Sequence, residues 1–376
     1  MLWTKPIRLR SNRVRRTYRG GRLLGQFRAL DDPKDDWYPE DWVGSVVASR
    51  LDPEGREGLS LLGEDGAMTL DEALRKWPVE FLGEGHVQKF GAHPAVLVKL
   101  LDASVRLGIQ AHPDRRTAAR LFDSSYGKTE SWIVLETRTI DGVAPSILLG
   151  FKEGVTPDAF ERAVRAGDIA QMEDLLHRFE VRPGDVYWVE AGTPHAIGSG
   201  VFMVEVQEPA DLTIYCEPGG EKIDAMNAHL GLSWRDAAQA FSAVGRSRDE
   251  ALDRWRRQPS VLWEREGAGR LEALLDGPAL KEYFRAYRLH VEGRVHVNVR
   301  AFSLVIVTQG AGMLSGPTFS QGVHRGDTLL LPAGLGDVVA ECELGAGSPP
   351  LEMITCHPPA IDAASSELPI EPSSLR

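Results

Sequence analysis

The sequence has few cysteines and no long apolar run. Only three of its 376 residues are cysteine, Cys216, Cys342 and Cys356, and no two of them form a Cys-x-x-Cys pair. A disulfide framework is therefore not expected, all three are predicted to be packing residues, and a reducing cytoplasm is the predicted location. No stretch approaches the ~18 uninterrupted apolar residues that a membrane-spanning helix needs, so no membrane partner is predicted.

Signatures of nucleotide and nucleic-acid binding are also missing. The glycines of YRGGRLLG (18–25) are not followed by Gly-Lys-Ser/Thr, so they indicate a turn rather than a phosphate-binding loop. The formal net charge is −11, from 43 Lys and Arg against 54 Asp and Glu. Such an acidic balance does not favour nucleic acid as a partner.

The basic residues are concentrated at the N-terminus. Residues 1–30 contain nine Lys or Arg and no Asp or Glu. No apolar signal core accompanies them, and they continue without a break into foldable sequence. We interpret the segment as a basic strand or arm of the fold. The two alternatives are a targeting segment and direct contact of Arg16 or Arg19 with a phosphate.

A short repeat predicts two related β domains. The segment GDVYWVEAG (184–192) returns as GDTLLLPAG (326–334), with Gly, Asp, Ala and Gly each 142 positions later. Each copy places strand-like residues between a Gly-Asp turn and a small-residue turn. The first copy is followed by Thr193-Pro194-His195, and His195 has no histidine counterpart after the second copy. Only the first domain is therefore expected to carry a functional site.

Four polar residues in strand or turn contexts form a candidate metal site. Gln110 and His112 lie two apart in GIQAHPD (108–114), so on a strand both side chains project from one face. Glu130 opens a strand-like segment, and His195 follows the first repeat copy. Taken singly, each is more simply a satisfied polar group. Together they suit a divalent ion, zinc first, with manganese, iron or nickel as alternatives.

These segments resemble class I mannose-6-phosphate isomerases, which are zinc-dependent members of the cupin superfamily. The matching pieces are GIQAHPD (108–114), YGKTE (126–130), RPGDVYWVEAGTPHAIG (182–198) and VEVQEP (204–209), and the segment from EYFRAYRLHV (282–291) resembles the family's C-terminal cupin unit. The resemblance implies one zinc ion per chain, with ligands at Gln110, His112, Glu130 and His195.

The resemblance also implies further functional residues. Lys128 and Lys99 are the implied catalytic lysines, with Lys128 lining the substrate pocket, and we assign substrate binding to Glu205 and Gln207. The alternatives are a partnership of Lys128 with Glu130 and a surface or ion-pair role for Lys99. The proton-carrying base stays open among Glu205, Asp211, a metal-bound water and the lysines.

One position departs from the family pattern. Many relatives carry a Tyr-Arg pair shortly after the Gln207 region, and Tyr215 stands where that arginine would be. Three interpretations follow: a different sugar, an arginine supplied from elsewhere such as the N-terminal cluster, or lost activity.

The repeat and the resemblance together predict a mainly β fold with two cupin-like β-barrel (jelly-roll) domains and helical insertions. The N-terminal catalytic domain is assigned residues 1–155 and 181–227, with a helical insertion at 156–180 that Thr156 or Asp158 caps. The remaining assignments are a helical linker region at 228–278, a C-terminal cupin-like domain at 279–359 and a flexible tail at 360–376.

The predicted function is metal-dependent interconversion of mannose 6-phosphate and fructose 6-phosphate. The alternatives are a cupin isomerase acting on a different sugar and a non-catalytic sugar-binding cupin. The expected partner is a small sugar phosphate, with neither nucleic acid nor membrane. A monomer or a small homo-oligomer is predicted.

Overall fold

The structure is a computed structural model, and it describes residues 1–63, 66–217, 228–242, 244–343 and 349–373. Within these ranges the chain is mainly β, as predicted. Its strands form four larger antiparallel sheets and one short hairpin, Leu61–Leu62 with Met68–Thr69. Two sheets make up an N-terminal unit and two make up a C-terminal unit.

The N-terminal unit consists of a seven-stranded and a five-stranded sheet. The larger has the order Arg256–Arg257, Val186–Val189, Glu130–Thr137, Val201–Gln207, Leu97–Ala103, Glu40–Val43 and Arg13–Val14. The smaller has the order Leu176–Glu180, Ser146–Phe151, His195–Ile197, Gln110–Ala111 and Ile214–Tyr215.

The C-terminal unit repeats this arrangement. Its larger sheet has the order Ile7–Arg8, Thr328–Leu331, Ser303–Gln309, Leu351–His357, Arg285–Val291, Gly269–Leu275 and Ser260–Arg265. Its smaller sheet has the order Phe319–His324, Ala311–Gly316, Gly336–Cys342, Arg294–Val299 and Ile370–Ser373. In each unit the described strands form two facing sheets rather than one continuous ring.

The two large sheets pack against each other, so the molecule has four layers in the order small, large, large, small. Strand Val201–Gln207 shows how the sequence encodes this, because all seven of its residues are buried. Phe202 and Val204 point into the core between the two large sheets, whereas Met203 points into the core of the N-terminal unit. Since both faces are covered, the strand is a continuous apolar run except where Glu205 and Gln207 enter the interior of the unit.

The repeat motif occupies equivalent places in the two units. Gly184 and Gly326 both have positive φ, 91° and 94°, which glycine adopts without a steric penalty. The strands that follow, Val186–Val189 and Thr328–Leu331, begin and end at positions that match across the repeat. The predicted relation between the two halves is therefore confirmed at the level of these strands.

Each unit receives an edge strand from the other half of the sequence. Ile7–Arg8, at the N-terminus, pairs with Thr328–Leu331 of the C-terminal unit. Arg256–Arg257, which directly precedes the C-terminal unit in sequence, pairs with Val186–Val189 of the N-terminal unit. The basic N-terminal segment thus contains an arm of the fold, as interpreted, and it connects the two units.

Helices cover the sheets and join them. Their bounds are Arg22–Phe27, Leu70–Lys76, Pro78–Leu82, Glu84–Phe90, Arg115–Phe122, Pro157–Ala166, Ile169–Asp174, Trp234–Ala237, Arg248–Trp255 and Pro278–Lys281, with short 3-10 turns at Leu2–Thr4 and Ala238–Ala240. Thr156 caps its helix by accepting a hydrogen bond from the Ala159 N–H at 3.2 Å, as predicted. None of the helices in the described residues is long and apolar enough to cross a membrane.

Three segments differ from the sequence expectation. Residues 260–275, expected to be helical, form strands Ser260–Arg265 and Gly269–Leu275, because the large C-terminal sheet extends over them. Leu176–Glu180 is a strand at the end of the expected helical insertion. The expected flexible tail contains strand Ile370–Ser373, which is held by pairing with Arg294–Val299 and by burial of Ile370. Residues 218–227, assigned to the N-terminal domain, lie outside the described residues.

Candidate active site

Three of the four predicted metal ligands meet inside the N-terminal unit. One donor atom from each of His112, Glu130 and His195 lies within 4.8 Å of the other two, and all three residues are buried. The two Nε2 atoms are each 3.3 Å from a carboxylate oxygen of Glu130, Oε2 for His112 and Oε1 for His195. Residues far apart in sequence therefore converge on one point, as the sequence predicted.

The facing sheets bring these side chains together. Glu130 is the first residue of its strand in the large sheet and lies opposite Gln207 on the neighbouring strand. His195 is in the small sheet and pairs with Gln110. Because side chains alternate along a strand, the inward-facing residues of both sheets point into the same interior.

The histidine rings are oriented by backbone carbonyls. Nδ1–H of His112 donates to the Leu212 carbonyl and Nδ1–H of His195 donates to the Thr193 carbonyl, each at 2.8 Å. This arrangement leaves both Nε2 atoms as acceptors, which is the form a metal requires. Burial is the largest influence on both rings; with Lys128 it lowers the pKa of His112 to about 4, and it lowers the pKa of His195 as well. Both imidazoles are thus neutral at neutral pH.

Glu130 is held as a carboxylate by its surroundings. Lys128 Nζ donates to Oε2 at 2.7 Å, and Trp132 Nε1–H donates to Oε1 at 3.1 Å. Burial alone would raise the pKa of Glu130, but Lys128 and the two imidazoles lower it well below its usual value. The site therefore presents a charged oxygen donor beside two neutral nitrogen donors.

Gln110, the fourth predicted ligand, lies at the same site. Its side-chain amide nitrogen is 3.2 Å from Nε2 of His195, and the residue is buried. Rotating the amide by 180° exchanges its nitrogen and oxygen, which places an oxygen donor toward the same point. Two imidazoles, one carboxylate and one amide can hold a divalent cation.

The position of the Lys128 ammonium group indicates that the donor group of His112 and Glu130 favours a positive charge. Its ammonium group is 2.8 Å from Nε2 of His112 and 2.7 Å from Glu130 Oε2, and its side chain is 4% exposed. An ammonium bridging an imidazole nitrogen and a carboxylate contacts two of the atoms that a metal ion would bind. The donor set thus fits a divalent cation on its own chemistry.

A second polar cluster lies in the same interior. Lys99 Nζ donates to Glu205 Oε1 at 2.9 Å and is 3.7 Å from Glu40 Oε2, and these side chains are each 3% exposed. Lys99 is therefore part of a buried ion pair rather than a surface group. Burial alone would lower the pKa of Lys99, but Glu205 and Glu40 outweigh burial and raise it.

Sequence reasoning did not single out Glu40. Its carboxylate accepts hydrogen bonds from Tyr18 Oη at 2.5 Å and from Trp42 Nε1 at 2.7 Å. The signal was present in the segment PEDWVG (39–44), where an acidic residue precedes a buried tryptophan in a short strand. Burial alone would raise the pKa of Glu40, but Arg16 and Lys99 lower it.

Arg16 supplies a largely buried cation whose charge acts on Tyr215. Its guanidinium donates to both oxygens of Asp211, at 3.2 and 3.3 Å, and its Nε is 3.1 Å from Glu40 Oε1. Burial alone would raise the pKa of Tyr215, and the charge of Arg16 is the largest opposing influence. Arg19, the other candidate, is exposed and donates to the backbone oxygen of Asp35 at 3.1 Å.

Gln207 presents an amide oxygen that has no hydrogen-bond partner among the described residues. Its Nε2 donates to the carbonyls of Glu208 and Ala210, at 2.9 and 2.7 Å. These two bonds fix the amide, and the residue is fully buried beside Glu130. A fixed, buried acceptor without a partner is available to a ligand hydroxyl.

Comparisons with known proteins find relatives named mannose-6-phosphate isomerase. The chain is 26% identical to a probable mannose-6-phosphate isomerase of Bacillus subtilis over 290 residues, which cover 75% of this chain and 82% of the relative. It is 24% identical to the mannose-6-phosphate isomerase of Streptococcus mutans over 333 residues, 87% and 92% of the two chains. No protein-family model matches the chain.

The fold comparison reaches further along the chain. The crystal structure of the Bacillus subtilis mannose 6-phosphate isomerase superposes with a TM-score of 0.73 and 23% identity. The superposition covers 94% of this chain and 99% of that chain. The chain is thus similar over most of its length to proteins named mannose-6-phosphate isomerase, and it shares the fold of a solved one.

Proposed function

We propose that this protein interconverts mannose 6-phosphate and fructose 6-phosphate with one divalent metal ion, zinc first, bound by Gln110, His112, Glu130 and His195. The observation that carries the proposal is the convergence of His112, Glu130 and His195 in one buried group. Its relatives named mannose-6-phosphate isomerase support the substrate class. When bound, the metal supplies Lewis-acid stabilisation of negative charge on the sugar oxygens.

The protein's own residues have to move a proton between C2 and C1 of the sugar. Glu205 faces the interior two residues before Gln207 and is 2.9 Å from Lys99 Nζ. We assign proton transfer to Glu205 or Lys128, because both are buried, Lys128 contacts Glu130, and Glu205 lies on the strand that carries Gln207. A positioned acid or base of this kind contributes roughly 10²–10⁴-fold to a rate.

Substrate orientation falls to groups around the donor set. The unpartnered Oε1 of Gln207 can accept a hydrogen bond from a sugar hydroxyl. Arg16 is the candidate cation for the anionic end of the substrate, since its charge acts on Tyr215, the position at which the family resemblance leads us to expect an arginine. A planar guanidinium suits phosphate because it offers paired N–H donors.

The test is an isomerase assay on mannose 6-phosphate, free mannose and other hexose phosphates, with and without chelator, together with metal analysis. We expect about one metal per chain, formation of fructose 6-phosphate and loss of activity in chelator. His112→Ala should lose both metal and turnover, whereas the matched control His324→Ala, an exposed histidine of the C-terminal unit, should keep both. Undiminished activity of His112→Ala would refute the site.

A different sugar is the second candidate function, and Tyr215 is the observation that favours it. In the cluster that contains Arg16, three carboxylates, Glu40, Glu205 and Asp211, outnumber the two cations, Arg16 and Lys99. Carboxylates bind sugar hydroxyls well and repel phosphate. Turnover of free mannose in preference to mannose 6-phosphate would select this candidate. Metal binding without turnover of any sugar would select the non-catalytic alternative. The cytoplasmic location and the oligomeric state stay predictions.

A further inference from the structure

Glu208 connects two of the segments that carry the metal donors, although it is not itself a donor. It directly follows Gln207 and is 1% exposed. Its Oε2 accepts a hydrogen bond from the backbone N–H of Thr129 at 2.9 Å, and its own N–H donates to the Thr129 carbonyl at 3.0 Å. Thr129 lies between Lys128 and Glu130, so Glu208 fixes the backbone on which Glu130 is mounted.

The other carboxylate oxygen of Glu208 binds Arg115. Arg115 Nε donates to Glu208 Oε1 at 2.6 Å, a charge-assisted hydrogen bond. Arg115 is the first residue of helix Arg115–Phe122, which Asp114 caps by accepting the Thr117 N–H at 2.7 Å. The helix begins three residues after His112, so the ion pair connects the His112 segment to the Glu130 segment.

Close packing reinforces this connection. The N–H of Lys128 donates to the Pro113 carbonyl at 3.0 Å. A Cβ on Gly127 would lie 2.6 Å from the Pro113 carbonyl oxygen and 2.7 Å from the Arg115 nitrogen, so only glycine allows the two segments to approach this closely. The segments are therefore in direct contact, and a shift in one moves the other.

The C-terminal unit supports Arg115 from outside. The guanidinium lies 4.7 Å from the ring centroid of Tyr283, and its Nη2 donates to the Glu282 carbonyl at 3.0 Å. Tyr283 also makes a side-chain hydrogen bond with Thr129. The second unit, which has no histidine matching His195, thus contacts Arg115 directly and also contacts Thr129, the residue that donates to Glu208.

We propose that Glu208 and Arg115 are positioning residues that set the distance between His112 and Glu130, and that Tyr283 of the C-terminal unit holds them in place. This inference rests on the proposed metal-dependent function. The role given to the C-terminal unit is to rigidify the donor group of the first unit. Partners that orient metal ligands typically change metal affinity 10–100-fold when they are replaced.

The test compares Arg115→Ala with Arg115→Lys and with Arg116→Ala. Arg116 is the matched control because it lies in the same helical turn and is exposed, as is Arg115, whose side chain is 42% exposed. Three quantities are measured for each full-length variant: the zinc dissociation constant by competition with a chromophoric chelator, the midpoint of thermal unfolding without metal, and kcat and KM. Glu208→Gln and Tyr283→Phe are measured in the same way, as independent variants of the same network.

We expect Arg115→Ala to bind zinc 10–100-fold more weakly, with kcat lowered and KM changed less than about twofold. Arg115→Lys should recover most of the affinity because it keeps the charge, and Arg116→Ala should match the wild type. A lower unfolding midpoint with unchanged zinc affinity in Arg115→Ala and Glu208→Gln would overturn the proposal. Zinc affinity is read without substrate, so this outcome is distinct from a failure of the isomerase assignment.

Discussion

Asp185 and Asp327 have the same structural role in the two units. Each follows the positive-φ glycine of the repeat, and its carboxylate accepts a hydrogen bond from the backbone N–H three residues earlier. Arg182 donates to Asp185 at 3.0 Å, and His324 donates to Asp327 at 2.9 Å. Each also binds an arginine on the edge strand supplied by the other half of the sequence. These partners are Arg256 for Asp185, at 2.6 Å, and Arg8 for Asp327. The aspartate thus couples the turn to the arm in both units.

This dual role predicts that the aspartate contributes more to stability than its arginine does. Asp327→Ala should lower the free energy of unfolding by about 1–3 kcal/mol, since it leaves the partly buried N–H of the turn without its acceptor. Arg8→Ala should cost no more than about 1 kcal/mol, because that side chain is 42% exposed and the ion pair is partly solvated. Urea unfolding measures both, and equal losses for the two variants would contradict a role of Asp327 in the turn.

The sequence predicted features that depend on local pattern. The helix cap at Thr156 and the two repeat strands follow from short-range chemistry, and the donor group followed from residue spacing plus the family resemblance. The N-terminal segment was interpreted as a strand or arm, but the position of its edge strand Ile7–Arg8 was not predicted, and Arg256–Arg257 was not predicted as a strand. Each is two residues long and exists only through pairing with a distant strand, and two residues carry no periodicity.

The buried charges of the site were likewise beyond sequence reasoning. Lys99 was open between a catalytic and a surface role, because burial of a lysine depends on which carboxylates the fold brings to it. Here Glu205 faces it directly from the neighbouring strand, and Glu40 lies at the start of the next strand in the same sheet. Strand Ser260–Arg265 falls in the region 228–278 that was expected to be helical. Almost all of its side chains are exposed, so it lacks the alternation that marks a half-buried strand.

The Lys99–Glu205 pair should be strongly coupled energetically. Lys99→Met leaves Glu205 as a buried carboxylate without its cation and leaves Glu40 with Arg16 alone. We expect it to cost about 3–5 kcal/mol of the free energy of unfolding. In a double-mutant cycle with Glu205→Gln, the double variant should lose less free energy of unfolding than the two single variants lose in total. The difference should be about 1–3 kcal/mol. Chemical denaturation of the four proteins gives the coupling.

The surface pair Lys152–Asp174 is the control for this cycle. Its side chains are 43% and 86% exposed, at a separation of 3.1 Å. The cycle of Lys152→Met with Asp174→Asn should give a coupling below about 0.5 kcal/mol, because water screens the charges. Coupling energies of the same size in both cycles would show that water screens the Lys99–Glu205 charges as much as it screens the surface pair.

His93 should make the stability of the protein depend on pH. It packs against the Tyr126 ring, and burial lowers its pKa to about 4. An unfolded histidine titrates near 6.5, so keeping His93 neutral costs nothing above that pH and progressively more stability as the pH falls toward 4. Between pH 7.5 and pH 5 this residue should account for a loss of about 2 kcal/mol in the free energy of unfolding.

His93→Asn isolates that contribution. Asparagine does not titrate, and its side-chain oxygen can accept the Ala95 N–H that His93 Nδ1 accepts at 3.0 Å. Other groups, including His112 and His195, titrate in both proteins and cancel in the comparison. The variant should therefore lose less stability than the wild type on acidification. If the free energy of unfolding depended on pH in the same way in both proteins, the pKa of His93 would have to be the same in the folded and unfolded states.

Gly150 should be essential to the position of His195. It lies in strand Ser146–Phe151 at φ 69°, and a Cβ there would lie 1.8 Å from the Trp255 ring. Its N–H donates to the Pro194 carbonyl at 2.8 Å, directly before His195. Gly150→Ala must therefore displace either the Trp255 ring or the backbone that carries a metal donor. We expect a loss of about 3 kcal/mol or more in the free energy of unfolding, together with weaker zinc binding.

Gly154 separates steric overlap from backbone strain. It has a similar φ of 78°, but a Cβ there meets nothing within 4 Å. Gly154→Ala should cost only about 1 kcal/mol, the strain of alanine in the left-handed region, and should leave zinc affinity unchanged. Both variants are compared by unfolding and by zinc titration. Equal effects of Gly150→Ala and Gly154→Ala would show that the packing of Trp255 against strand Ser146–Phe151 does not hold the His195 segment in place.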